Sequence, residues 1–142
     1  PKVDPPPHQE PPTIPSTKVP TKDDLAKYYL NCAYDSFQQK NYWATVEYCN
    51  KALETKKDPK IYRLMGNAFA THPKFRLEAM NAYKKAMELA PQDWHTIRDI
   101  ADLYYASGSN VLAEARYKDV LGLDPDNSVA TKRLSELKAK KK

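Results

Sequence analysis

From about residue 25 onward, apolar side chains recur at steps of three and four, the spacing that gives an α-helix one apolar face, and short polar turns interrupt them at regular intervals. This pattern predicts helices over 23–39, 43–56, 60–71, 75–90, 94–107, 110–122 and 128–139. Asp126-Asn127-Ser128 supplies an N-cap cluster for the last of them. Pro59, Pro91 and Pro125 fall between helix pairs, where a helix must end and a missing N–H costs little.

The helices repeat. Thr45, Ala79 and Ala113 follow one another at a constant interval of 34, as do Cys49, Tyr83 and Tyr117, and Ala52, Ala86 and Val120. Pro91 is followed by Pro125 at the same interval. Upstream of each set, a large apolar residue precedes a small one by four: Tyr29 and Ala33, Tyr62 and Gly66, Ile97 and Ala101. These first helices slip by one residue, a slip absorbed in the connections, where His72-Pro73 adds a residue inside the second unit. The small residues let two helices of a pair approach closely, while Tyr83 and Tyr117 fill the space between one pair and the next.

Composition divides the 142 residues unevenly. Eight of the 12 prolines lie between Pro1 and Pro20, a stretch with no aromatic side chain, so residues 1–24 are expected to be a disordered proline-rich linker. All ten Tyr, three Phe and two Trp lie beyond it, enough for one small core. The net charge of +5 is also local. Residues 1–24 carry −1, residues 25–130 carry +1, and residues 131–142 carry +5 through Lys132, Arg133, Lys138, Lys140, Lys141 and Lys142. Such cations suit a helix C-terminus, which argues against nucleic acid as the main partner. Cys32 and Cys49 read as buried free thiols, which fit a reducing compartment, and neither has a His pair at metal-ligand spacing. No run of 18 apolar residues or export-signal pattern is present, so the chain is expected to be soluble. Since it opens at Pro1 without Met, it is expected to be an internal piece, and whether a targeting signal preceded it stays open.

The stretches Leu64–Phe69, Ala79–Pro91 and Ala113–Pro125 resemble the tetratricopeptide repeat (TPR) family, whose unit is a 34-residue helix–turn–helix. The resemblance implies an all-α fold of three tandem TPR units (about 26–59, 60–93 and 94–127) in a right-handed superhelix, with 128–142 as a capping helix and basic tail. Departures gather in the first unit, where Ser36 replaces an aromatic residue and Lys57 stands in place of the loop proline. A narrower similarity, carried by Ala68–Leu77 and the proline-rich segment, is to C-terminal TPR arrays of large bacterial proteins with a J-domain or signalling module upstream. It implies a bacterial, cytoplasmic protein.

By resemblance, the concave face formed by the first helices binds a peptide or partner domain, and the protein is a non-enzymatic scaffold or adaptor. Helical phase puts Tyr34, Phe37, Arg63, Asn67, His95, Arg98, Asp102 and Tyr105 on that face as partner-binding candidates. Two bland readings stand beside this one: Tyr34, Phe37 and Tyr105 as padding between repeats, and Arg63 or Arg98 as a surface ion pair with Asp102. Family members that hold a chaperone's C-terminal carboxylate use Lys, Asn and Arg where this chain has Leu30, Tyr34, Leu64, His95 and Asp99. That argues against a chaperone tail, since Asp99 would repel a carboxylate.

Two alternative functions stay open: an electrostatic binder of nucleic acid or an anionic surface through the lysine tail, and a self-association module forming homo-oligomers. No Gly-rich phosphate loop, carboxylate pair or Cys–His arrangement points to an enzyme, and no metal or cofactor is expected. His8 lies in the linker, and His72 is read as a solvated turn residue. Trp43 and Trp94 are read as packing against neighbouring repeats. Pro12-Thr13-Ile14-Pro15 has the P-x-x-P spacing that docks in aromatic grooves, with a passive linker as the simpler reading.

Overall fold

Five of the seven predicted helices open on a polar side chain that accepts from the first turn's backbone. Thr21 and Asp24 form a reciprocal capping box (3.1 and 3.0 Å), and Asn41 accepts from the Ala44 N–H. Asp58, Asp93 and Asn127 do the same for Lys60, His95 and Ala130. The computed structural model describes residues 19–141 and is helical throughout: α1 Lys22–Gln38, α2 Tyr42–Thr55, α3 Pro59–Ala70, α4 Arg76–Leu89, α5 Trp94–Ala106, α6 Asn110–Leu123 and α7 Ser128–Lys140. Each predicted helix is present, its ends displaced by at most one residue. The caps explain the displacement at the N-termini: Asn41, for example, starts α2 at Tyr42 and not at Trp43. The predicted linker falls mostly on residues 1–18, outside the described residues.

Within the pairs α1–α2 and α5–α6 the turn is made by one residue with positive φ, Lys40 (61°) and Gly108 (79°). The second pair departs. His72 accepts the Lys74 N–H on Nδ1 and caps a short 3-10 turn, Pro73–Phe75, which takes up the inserted residue.

Three side-chain clusters form the core, and each draws on two consecutive units. Ala33, Cys49 and Ala52 pack with Ile61, Leu64 and Met65; Ala79 and Tyr83 pack with Ile100 and Leu103. Ile97, Ala101, Ala113, Tyr117 and Val120 pack with Ala130 and Leu137 of α7, which closes the third unit as a further first helix would. In the first unit, where an aromatic residue was missing, buried Ser36 Oγ lies 2.9 Å from Thr45 Oγ1 and holds α1 and α2 in the expected register. Cys32 and Cys49 are buried free thiols, and burial pushes Cys49 up to about 12.

One packing expectation is corrected. Trp94 does pack against the third cluster, stacked on His95 at 3.7 Å between ring centroids. Trp43 does not: Tyr42 takes the inward place against Phe37 (5.3 Å), leaving Trp43 66% exposed.

The close approach inside the second pair sets a test. A Cβ on Gly66 would lie 2.5 Å from the buried Tyr83 ring, whereas one on Gly122, an exposed position in α6, would meet nothing within 4 Å. Gly66→Ala is expected to lower unfolding free energy by about 1–3 kcal/mol through overpacking. Gly122→Ala is expected to raise it by about 0.5 kcal/mol, because Ala is the better helix former. Urea titrations of the two variants read both signs.

Candidate functional site

Among the described residues first helices touch one another across units, α1 with α3 and α3 with α5, while second helices pack mainly against first helices. The array therefore curves toward α1, α3 and α5, and their outward side chains share one concave face. Two adjoining hollows lie there. One, of about 360 Å³, is lined by Tyr34, Phe37, Gln38, Lys60, Arg63, Leu64 and Asn67. The other, of about 410 Å³, shares Phe37, Arg63 and Asn67 and adds Arg98, Asp99 and Asp102.

Six of the eight predicted residues are thus brought together. His95 and Tyr105 line neither hollow. His95 stacks on Trp94, its Nδ1 3.0 Å from Asp93 Oδ1. Tyr105 is covered by α7: its hydroxyl donates to Glu136 (3.1 Å), with Arg133 Cζ 4.6 Å and Lys140 Nζ 4.4 Å from its ring centre.

The charges pair differently from the sequence expectation. Arg63 Nε donates to Asp99 Oδ2 at 2.7 Å and Arg98 Nη2 to Asp99 Oδ1 at 3.3 Å; neither arginine's ion pair is with Asp102. Asp99 is 10% exposed, clasped between two cations, so it does not stand in the groove as a bare negative charge. The Nη nitrogens of Arg63 have no protein partner among the described residues, and the Arg98 Nε–H is shut from solvent with no acceptor.

Asp102 and Asn67 are held from behind. Both follow the small residue of their helix, Ala101 and Gly66, and each accepts a hydrogen bond from the tyrosine packed beneath: Tyr83 Oη donates to Asn67 Oδ1 at 2.6 Å, and Tyr117 Oη donates to Asp102 Oδ1. With its oxygen so engaged, Asn67 has its NH₂ left for the groove. The first unit inverts this arrangement. Cys49 takes the tyrosine's place, and the aromatic ring comes from the first helix as Tyr34. Sequence reasoning missed the tyrosine hydroxyls and the role of Asp99. The signal for the hydroxyls was available, because Tyr83 and Tyr117 recur together with Asn67 and Asp102.

Burial raises the Asp102 carboxyl above its ordinary range, although the Tyr117 hydroxyl and Arg98 pull it down; burial also raises Tyr83 and Tyr117. A folded carboxyl with a raised pKa favours folding below its unfolded value of about 3.9, and that stability is lost as pH rises through the folded value. Asp102→Asn keeps an acceptor for Tyr117 and removes the charge. The variant is expected to be more stable than the parent at pH 7 by less than about 1 kcal/mol, and so to melt at a higher temperature, since Asp102 is only partly shielded, and the difference is expected to vanish near pH 3. Thermal melts followed by circular dichroism at both pH values check it.

No protein-family model and no curated protein sequence matches the chain. Among solved structures it is similar to the Arabidopsis OM64 TPR domain, with a TM-score of 0.77, 16% identity, and coverage of 83% of this chain and 98% of that domain. It is similar to the first TPR domain of human RPAP3, solved by NMR, with a TM-score of 0.71, 20% identity, and coverage of 81% and 91%. It is also similar to the first TPR of Spaghetti (RPAP3) bound to HSP90 peptide SRMEEVD, with a TM-score of 0.73, 19% identity, and coverage of 86% and 97%. Identities this low speak for the backbone alone, and together with the three helix pairs they give the chain a TPR fold extended by a C-terminal helix.

Proposed function

We propose that the chain is a non-enzymatic protein-interaction module that takes an extended, acceptor-rich peptide or a partner segment along the face of α1, α3 and α5. The observation that carries this reading is the pair of hydrogen-bond donor groups left over once the internal pairs are made: the Arg63 fork and the Asn67 NH₂, both lining one hollow beside Phe37. A peptide's carbonyls and carboxylates satisfy such donors, and an aromatic wall takes its apolar side chains. The Spaghetti structure, with a peptide on a similar backbone, supports the same class of partner.

A chaperone tail held by its terminal carboxylate is not the partner we propose. Leu64 is buried, Leu30 and Tyr34 bring no cation, and Asp99 is committed to Arg63 and Arg98. The reason is the absence of free cations at these places and not repulsion by Asp99. The lysine tail is a weaker candidate for binding, because Arg133 and Lys140 cover Tyr105 and Lys141 pairs with Glu114 at 2.9 Å. Among the described residues no helix is long and apolar enough to cross a membrane. The two reduced thiols support a reducing compartment. A bacterial source rests on the Ala68–Leu77 stretch and the proline-rich segment alone.

The test uses the full chain as bait in a lysate, beside an Arg63→Lys, Asn67→Ala variant, at two salt concentrations. Lysine keeps a cation beside Asp99 and so preserves the fold, which circular dichroism verifies, but it loses the planar fork. A groove partner is expected to be weakened at least tenfold, about 1.4 kcal/mol. Partners retained equally by both chains and released only by salt would refute the groove reading in favour of the basic tail.

A further inference from the structure

Trp43, Leu77 and Val111 sit one residue inside the second helices, one repeat period apart, and are 66%, 69% and 76% exposed. They border the edge where first helices turn into second ones. At the first of them the surface folds into a cleft of about 360 Å³ lined mainly by Tyr42, Trp43, Val46, Phe69, His72 and Phe75. Its aromatic rings are braced: Phe75 lies 6.0 Å from Phe69 and 5.7 Å from His72, and Tyr42 leans on Phe37. Tyr42 Oη and the Trp43 indole N–H have no hydrogen-bond partner among the described residues. Clefts of aromatic rings with a few free donors suit a polyproline II strand. Its ring-shaped side chains stack flat, its carbonyls are unpaired, and it loses little entropy on docking.

The chain carries such a ligand. Between Pro1 and Pro20 it holds two proline runs, Pro5-Pro6-Pro7 and Pro11-Pro12, each directly preceded by an acid, Asp4 and Glu10. The rim of the cleft is basic: Lys40 is exposed in the turn before Tyr42, and Lys74 Nζ lies 6.0 Å from the Phe75 ring centre.

Reach decides which run fits. The arm joins α1 at Thr21, and the cleft lies at the other end of that helix, about 25 Å away at about 1.5 Å per residue. At about 3.1 Å per residue, a polyproline II strand needs about eight residues to cover the distance. Pro15 falls short, Pro11-Pro12 are the first run to arrive, and Pro5-Pro6-Pro7 arrive only with slack left in the intervening chain.

We propose that the aromatic cleft at the start of α2 is the docking site for this chain's own proline-rich arm, with Pro11-Pro12 against Trp43 and Phe75 and Glu10 toward Lys40 and Lys74. The arm thereby covers the exposed tryptophan at the edge where α1 turns into α2, next to the concave hollow at Phe37 and Thr71.

The experiment records the indole N–H cross-peaks of the ¹⁵N-labelled full chain, Trp43 being assigned by Trp43→Phe, with Trp94 as an internal control. Pro11→Ser, Pro12→Ser changes no residue of the folded core, so Trp94 is expected to stay in place. The Trp43 cross-peak is expected to shift by more than its linewidth and to return toward the parent position when a synthetic peptide of residues 1–18 is added. A Trp43 cross-peak indifferent to both changes overturns the proposal. A Trp43 position that depends on protein concentration overturns the intramolecular geometry: if the proline substitutions abolish that dependence the arm of a second copy is the occupant, and if they do not, the outer face of a second copy is.

Discussion

The seating of a tyrosine ring from the second helix against a small residue of the first helix, in the second and third units, is the contact on which the rest of the array depends. In the second unit the Tyr83 ring lies so close to Gly66 that no side chain fits between them. In the third, Ala101 and Tyr117 are both fully buried in one cluster. The same rings do a second task. Their hydroxyls emerge on the concave side and fix Asn67 and Asp102, so the groove's polar surface is positioned by the core itself. A change that loosens this packing therefore also releases the side chains next to it in the groove, and stability and recognition are coupled through single residues.

The charge pattern follows a similar economy. Arg63 and Arg98 belong to different units, and both reach Asp99, which lies on the buried side of α5. An isolated carboxylate there would be strongly disfavoured, and two charge-assisted hydrogen bonds offset its desolvation. Arg63 commits only its Nε to this pair, so the cluster orients a guanidinium fork across the unit boundary and leaves the fork free. Tyr105, by contrast, gives its hydroxyl and ring to α7, which turns a groove candidate into the support of the terminal helix.

How far the sequence discloses these features depends on whether they are periodic. Helices and core positions recur with the period of the repeat, because each unit must bury the same face against the next, and Ala79, Ala113, Tyr83 and Tyr117 sit where the repeat puts them. Arg63 and Asp99 are not periodic equivalents. They lie 36 residues apart on the first helices of different units, and which side chains meet between those helices is not revealed by spacing alone. Within one helix Arg98 and Asp102 are the natural partners at four-residue spacing, yet Asp102 is drawn away by a tyrosine from α6. A side-chain pattern identifies neighbours along a helix, whereas these partners were chosen between helices.

Trp43 shows the same limit from the other direction. A tryptophan beside a helix start resembles a packing residue, but Asn41 sets the helix phase, and that phase turns Tyr42 inward and Trp43 outward. Leu77 and Val111 share its place in their helices and its exposure, so the outward turn belongs to the repeat and not to the tryptophan. Periodicity that stacks one face of each helix necessarily aligns the opposite face as well. On the outer edge of a solenoid no further layer covers it, and large apolar side chains there are a cost in water unless something else comes to lie on them.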